Sequence, residues 1–207
     1  MTTTIPVADL LTDDLLNRFD SRAMTYDREN RFFAEDFEDL VSTGYLALPL
    51  PVDRGGRGAS IAEVVAATRR LASVAPATAV ACNMHLYWVG IAADLERAGD
   101  SRGKFILDAA AAGRVLAAGH GERGNDIPGL FSSANAERVD GGWRITGHKI
   151  FGSLSPVWDY LGLHAMDVSD PTAPKVVHGF LARDAEGLRI EETWDALGMR
   201  ATASHDT

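Results

Sequence analysis

The sequence has 207 residues, 46% hydrophobic and 24% charged, which is typical of a globular protein with one large domain or two small ones. Its formal net charge of −9 argues against a nucleic-acid-binding surface, because neutralising phosphates requires clustered Lys and Arg. The single cysteine, Cys82, excludes an internal disulfide framework. Its alanine-rich surroundings favour a small buried apolar side chain over a reactive thiol.

Two stretches bear on the location of the protein. Residues 1–6 carry no positively charged side chain and no long apolar run, so they do not have the form of a signal peptide. The apolar stretch 74–93 is interrupted by Pro76, Asn83 and His85, which argues against a membrane span. We therefore expect a cytoplasmic protein without a membrane-spanning helix.

Residues 1–113 form the first predicted domain, because their apolar residues recur mostly at helical spacing. One predicted helix covers about residues 34–41, and Gly44 supplies its C-terminal stop. Ser60 begins a later helix, with Glu63 three residues on as its capping-box partner.

Pro76 breaks or restarts the helical pattern, and a long helix is predicted to follow it, with Gly99 as its C-terminal stop. We expect this helix to turn one apolar stripe inward. The stripe consists of Val80, Met84, Trp88, Ile91 and Leu95.

The periodicity changes after Gly113, and residues 114–207 form the second predicted domain. Asp140-Gly141-Gly142 lies between two short runs of strand-forming residues and predicts a β-hairpin. Further short runs rich in Val, Leu and aromatic residues cover 157–166, 176–182 and 188–191. Because no helical pattern separates them, they favour an antiparallel sheet or barrel. The predicted fold class is therefore α+β, an all-helical domain followed by a β-domain.

The glycine-rich stretch GHGERG at residues 119–124 matches the spacing of a dinucleotide-binding fingerprint. That fingerprint requires a helix to open at the glycines, whereas Pro128 and Gly129 would end any helix here almost at once. The stretch is either a simple turn or a loop that lets a ligand approach the backbone closely. The six histidines show no H-x-x-x-H or H-E-x-x-H spacing, so no metal site is predicted.

Several strings, in order along the chain, resemble motifs of the acyl-CoA dehydrogenase family. They are LALPLPVDRGGRG at residues 46–58, the segment from Val64 through the run PATA at residues 76–79, GWRITGHKIF at residues 142–151 and ALGMRATAS at residues 196–204. The resemblance covers most of the 207 residues. It implies the N-terminal and middle domains of that fold, truncated before a C-terminal four-helix bundle.

The resemblance also implies an FAD site built largely by the β-domain. It implies that six residues of this chain bind the flavin: Ala118, His120, Gly121, Phe151, Gly152 and Ser153. An aromatic ring at position 151 would pack beside the flavin, and the hydroxyl at position 153 would donate to the electron-rich reduced flavin and help set its potential.

The loop departs from the family pattern Thr-Glu-Pro-Gly-x-G-S-D. Gly121 replaces the Thr, Arg123 replaces the Pro, and Asn125 is the best available substitute for the Ser that meets the CoA chain. Backbone contacts to a flavin survive these changes, but recognition of CoA is weakened.

The chemistry implied by the resemblance is α,β-dehydrogenation of an acyl-CoA thioester, with electrons passing to an electron-transfer flavoprotein. The catalytic base is expected beyond Thr207, and we nominate no catalytic residue within the 207 residues. A homodimer or homotetramer is expected for the complete protein. Two alternatives stay open: a flavin-dependent monooxygenase of the same fold, and a non-catalytic subunit of a two-chain acyl-CoA dehydrogenase.

Overall fold

The computed structural model describes residues 7–124 and 131–207. Contacts divide the chain into two units. The helical unit runs up to Leu116 and includes Asp195–Ala203, and the β unit comprises Ala117–Trp194 and Ser204–Thr207. The helices are α1 (Asp13–Glu29), α2 (Ala34–Thr43), α3 (Ile61–Ala72), α4 (Pro76–Arg97) and α5 (Lys104–Ala111).

The helix ends follow the local sequence signals. Gly44 caps α2 with a left-handed backbone at φ 78°, which a glycine adopts without steric cost. At the start of α3, the hydroxyl of Ser60 accepts from the N–H of Glu63 at 3.4 Å, and the Glu63 carboxylate accepts from the N–H of Ser60 at 2.8 Å. The predicted capping box is therefore confirmed.

The predicted inward stripe of α4 is wrong at two positions, since Val80 is 45% exposed and Ile91 is 38% exposed. The buried positions lie on more than one side of the helix and include Ala79, Ala81, Cys82, Leu86, Val89, Ala92 and Ala93. The reason is that α4 packs against α3, α5 and the 3-10 turn Ser101–Gly103, so no single stripe describes its contacts. Cys82 is fully buried, as predicted, and burial raises the pKa of its thiol.

The strands are β1 (Leu116–Gly119), β2 (Asn135–Val139), β3 (Gly142–Thr146), β4 (Tyr160–Asp167) and β5 (Lys175–Ala182). The path through the sheet is β1-β4-β2-β3, and β5 pairs with β4. β2 and β3 form the predicted hairpin, with Val139 opposite Gly142 and Gly141 at φ 83° in the turn.

The α+β class is confirmed, with two refinements of the predicted antiparallel sheet or barrel. The β2–β3 and β4–β5 pairs are antiparallel, but β2 runs parallel to β4, where Asn135 pairs with Met166. The sheet formed by the described strands is therefore mixed, and it is open rather than closed. Its core contains Ala134, Ala136 and Ala165. Among the described residues, we find no helix whose length and hydrophobicity would allow it to cross a membrane.

Candidate functional site

Segment 149–152 lies at the centre of a second, smaller set of strand pairings in the β unit. On one side the N–H of Ile150 donates to the carbonyl of Gly121 at 2.9 Å. On the other side Lys149 exchanges two backbone hydrogen bonds with Thr207, at 2.7 and 2.9 Å, and the N–H of Gly152 donates to the carbonyl of His205 at 3.0 Å. These pairings bring the predicted loop at Gly121 and the predicted residues 151–153 to neighbouring positions.

Two of the predicted flavin residues are glycines because their surroundings exclude a side chain. A Cβ atom at Gly121 would lie 2.8 Å from the carbonyl oxygen of Ile150, and one at Gly152 would lie 2.9 Å from the carbonyl oxygen of His205. Contacts this short with backbone atoms require the backbone to move. Position 121 therefore has no room for a hydroxyl-bearing side chain in this conformation.

Phe151 presents an aromatic ring at the surface of the same segment. The residue is 59% exposed, and its backbone has φ 61°, a left-handed conformation that is uncommon for a bulky residue. The ring meets Trp194 edge to face, with 5.9 Å between the centroids and 86° between the planes. Strained backbone of this kind concentrates at ligand sites, and the exposed ring of Phe151 offers a flat apolar surface.

Ser153 lies two residues after Phe151 and is buried. Its Oγ lies 2.7 Å from the Oγ of Ser204, and the two residues are 7% and 4% exposed. The nearby Ser155 is also buried, but its hydroxyl donates to the carbonyl of Gly152 at 2.6 Å. The segment thus contains two buried hydroxyls with different partners.

A buried ion pair joins the two predicted flavin segments. The carboxylate of Glu122, one residue after Gly121, pairs with the ammonium of Lys149, and the side chains are 0% and 5% exposed. The ammonium also donates to the carbonyl of His164 at 2.6 Å. Glu122 further accepts from the hydroxyl of Ser132 at 2.6 Å.

Ser133 and Ala134 supply the remaining hydrogen bonds to the carboxylate of Glu122. The N–H of Ser133 donates to Glu122 at 2.6 Å, its hydroxyl at 3.0 Å, and the N–H of Ala134 at 3.3 Å. Burial disfavours the charged form of Glu122, but these hydrogen bonds outweigh it and lower the pKa of its carboxyl. Burial lowers the pKa of Lys149, an effect that its bond to Glu122 opposes.

His120 lies beside two further imidazoles on the sheet. Its ring centroid is 5.2 Å from that of His164 and 6.3 Å from that of His178. Burial and the neighbouring imidazoles lower the pKa of His120 to about 4, so the ring is neutral at pH 7. In the part of the chain that the structure describes, no group of three or more His, Cys, Asp or Glu side chains is arranged to hold a metal ion.

The predicted site residues divide into three groups. Gly121 and the segment 151–153 are brought together by the pairings around Ile150, whereas Ala118 lies within β1 and His120 directly follows that strand. Asn125, the predicted substrate-binding residue, lies outside the described residues. The role of these residues in binding a flavin stays a prediction.

Sequence reasoning missed three residues that support this region. Lys149 and Ser204 both lie within motifs used for the family resemblance, and Glu122 lies within the glycine-rich loop. Their positions alone carried a weak signal, but nothing in the sequence pairs Glu122 with a lysine 27 residues away or Ser153 with a serine 51 residues away.

Comparison with known proteins assigns the chain to a family. Residues 9–104 match the family model of the acyl-CoA dehydrogenase N-terminal domain. YdbM of Bacillus subtilis, provisionally named as an acyl-CoA dehydrogenase, is 32% identical over 195 residues, which cover 93% of this chain and 50% of that relative. The chain belongs to the acyl-CoA dehydrogenase-like family.

Other proteins similar to this chain carry different names. L-evernosamine nitrososynthase of a Micromonospora species is 30% identical over 207 residues, covering 96% of this chain and 47% of the relative. The structure of KijD3 in complex with FMN and dTDP-3-amino-2,3,6-trideoxy-4-keto-3-methyl-D-glucose matches 97% of this chain and 49% of that chain, with a TM-score of 0.82 at 28% identity. The chain spans about half the length of the relatives it matches.

Proposed function

We propose that this protein is a flavin-dependent oxidoreductase of the acyl-CoA dehydrogenase fold, and that it acts as a monooxygenase. The expectation from the sequence motifs alone was acyl-CoA dehydrogenation, with monooxygenation as the alternative. The names of the nitrososynthase relative and the FMN complex of KijD3 favour the alternative.

The observation that carries this choice is at position 121. The family motif has a threonine there and a proline two residues on, whereas this chain has Gly121 and Arg123. The backbone around Gly121 leaves no space for the missing side chain, so the difference is built into the packing of the loop. A loop changed in this way retains backbone groups for a flavin but departs from the acyl-CoA dehydrogenase motif, which supports the alternative reaction.

The β unit fits the isoalloxazine ring of a flavin in two respects. The exposed ring of Phe151, held edge to face against Trp194, supplies an apolar surface of the kind on which planar ring systems pack. Ser153, two residues on, supplies a hydroxyl with hydrogen-bonding capacity beyond its bond to Ser204. Because the isoalloxazine ring is common to FMN and FAD, the proposal covers both, and FAD is the cofactor that the family resemblance implies.

In this mechanism, the residues of the chain bind and orient. When bound, a reduced flavin supplies the electrons with which molecular oxygen is activated, so that one oxygen atom enters the substrate and the other leaves as water. The Glu122–Lys149 pair fixes the loop at Gly121 against segment 149–152, and the neutral His120 adds no charge beside the loop. A preorganised site of this kind costs little reorganisation during the reaction.

Acyl-CoA dehydrogenation remains the second candidate, favoured by the 32% identity with YdbM. In that reaction an acyl-CoA thioester is the substrate, an electron-transfer flavoprotein is the acceptor, and the base is supplied by residues other than those in this chain. Anaerobic mixing of the flavin-loaded protein with a series of acyl-CoA thioesters should then bleach the oxidised flavin band.

Stopped-flow oxidation of the reduced flavin separates the two candidates. A monooxygenase should show fast reoxidation by oxygen, no bleaching by acyl-CoA thioesters, and an oxygenated product when a primary amine substrate is supplied. Reduced flavin that is stable in air, together with bleaching by an acyl-CoA thioester, would show that the protein is a dehydrogenase. Failure to bind either FMN or FAD would contradict both.

A further inference from the structure

We propose that Ser204 is a positioning residue that orients the hydroxyl of Ser153 toward bound flavin and thereby raises the reduction potential of the flavin. This inference rests on the proposed flavin function of the β unit. The juxtaposition that carries it is the 2.7 Å contact between two buried hydroxyls, one on each of two paired chain segments.

The backbone holds the two serines in this relation. The N–H of Gly152, which precedes Ser153, donates to the carbonyl of His205, which follows Ser204, at 3.0 Å. Further along the same pairing, Lys149 and Thr207 exchange two backbone hydrogen bonds. Because this pairing is closed directly beside the serines, their hydroxyls meet without depending on an exposed, flexible side chain.

The number of hydroxyl hydrogens determines whether Ser153 can donate to a third group. Each hydroxyl brings one hydrogen and two acceptor positions. The contact between Ser153 and Ser204 uses one of the two hydrogens, and either oxygen can be the donor. When Ser204 donates, the hydrogen of Ser153 is left for a third group, and the polarised Ser153 hydroxyl becomes a stronger donor.

The position of Ser153 makes bound flavin the candidate for that third group. Ser153 comes two residues after Phe151, a residue 59% exposed on the segment that the family resemblance assigns to the flavin. A donor beside the electron-rich reduced flavin stabilises that form more than the oxidised form, which raises the potential. Ser204 would therefore tune the flavin only through Ser153.

The test is the midpoint potential of the flavin bound to the purified protein, measured for wild type, Ser153→Ala, Ser204→Ala and the double variant. Loss of the oriented donor should lower the ratio of reduced to oxidised flavin at a fixed potential by about tenfold in each single variant, equivalent to about −30 mV for a two-electron couple. Because Ser204 acts through Ser153, the double variant should show the shift of Ser153→Ala and no more. Ser204→Thr, which keeps a hydroxyl, should recover most of the shift.

Ser155→Ala is the matched control, because it removes another buried hydroxyl from the same segment whose partner is a backbone carbonyl. It should lower thermal stability about as much as Ser204→Ala while leaving the potential unchanged. Equal shifts in Ser155→Ala and Ser204→Ala, or additive shifts in the double variant, would overturn the role of Ser204. A wild-type protein that takes up neither FMN nor FAD would instead contradict the proposed function.

Discussion

Asp36 of the helical unit and Glu122 of the β unit are both carboxylates with fully buried side chains and a basic partner, yet their pKa values move in opposite directions. Burial raises the pKa of Asp36 to about 6, because Arg22 and the hydroxyl of Tyr26 do not compensate for lost hydration. At Glu122, hydrogen bonds outweigh burial and lower the pKa to about 2.

The difference comes from how completely each carboxylate is surrounded by donors. The Nε atom of Arg22 lies 2.8 Å from Oδ1 of Asp36, and Tyr26 donates at 3.2 Å, but Oδ2 has no hydrogen-bond partner among the described residues. Both oxygens of Glu122 accept hydrogen bonds, including two from backbone N–H groups. A buried charge is therefore tolerated in proportion to the donors fixed around it, and a single basic partner is not enough.

The largest effect should come from breaking the ion pair at Glu122, the carboxylate with more hydrogen-bond donors around it. Lys149→Met leaves Glu122 buried without its counter-ion and should lower the free energy of unfolding by about 3–5 kcal/mol, measured by urea denaturation. The double variant Glu122→Gln/Lys149→Met removes both charges and should recover much of that loss.

Arg144→Met serves as the control for this prediction. Its partner is Glu137 on the facing strand, but those side chains are 64% and 57% exposed, so the change should cost under about 0.5 kcal/mol. If Lys149→Met and Arg144→Met lower the free energy of unfolding equally little, the buried ion pair contributes no more to the stability of the β unit than an exposed one.

The second effect is a pH dependence of stability at Asp36. Its sign is opposite to that expected for a carboxyl whose pKa is lowered, such as Glu122. A carboxyl whose pKa is raised in the folded protein destabilises folding as pH rises through the window from its unfolded value near 4 to about 6. Asp36→Asn mimics the protonated form, so it should match wild type near pH 4 and exceed it by up to about 3 kcal/mol at pH 6, measured by urea denaturation at each pH. If wild type instead gains stability over the variant across that range, the ion pair with Arg22 dominates and the comparison with Glu122 collapses.

A pH dependence of similar size is expected at His120, where the folded pKa is about 4 against an ordinary value of 6.5. Because the folded state favours the neutral ring, its stabilising contribution is present above pH 6.5 and is lost as pH falls from 6.5 toward 4. Nuclear magnetic resonance titration of the imidazole should show the depressed pKa, and His120→Gln should flatten the stability profile over the same window. An imidazole that titrates near 6.5 would show that the ring is hydrated rather than buried against His164.

Local features of this chain could be read from its sequence, and distant ones could not. The Ser60–Glu63 capping box, the Gly44 stop and the turn at Gly141 each depend on residues within a few positions of one another. The pairing of Lys149 with Thr207 joins segments 58 residues apart, and hydrophobic periodicity carries no signal for it. The parallel contact of β2 with β4 was missed for the same reason.

The inward face of α4 shows a second limit of sequence patterns. A single apolar stripe predicts the buried face only when a helix has one partner, and α4 has several. Its small residues, such as Ala81 and Ala92, are fully buried because they allow close approach, whereas the larger Val80 and Ile91 stay exposed. Hydrophobicity alone therefore does not identify the buried side of this helix, since Leu86 and Trp88 are buried and Val80 and Ile91 are not.

The smallest predicted effect concerns the Ser60–Glu63 capping box, a feature that depends only on residues close together in the sequence. Ser60→Ala removes the hydroxyl that accepts from the N–H of Glu63 and should cost about 1 kcal/mol of unfolding free energy, well below the loss in Lys149→Met. Ser73→Ala is the matched control, since that serine lies at the other end of α3 and its hydroxyl only donates to the carbonyl of Arg70. Urea denaturation of both variants should show a clear loss for Ser60→Ala and a change within a few tenths of a kcal/mol for Ser73→Ala. Equal losses would mean that the capping box, although correctly predicted from the sequence, contributes no more to stability than an ordinary surface hydroxyl.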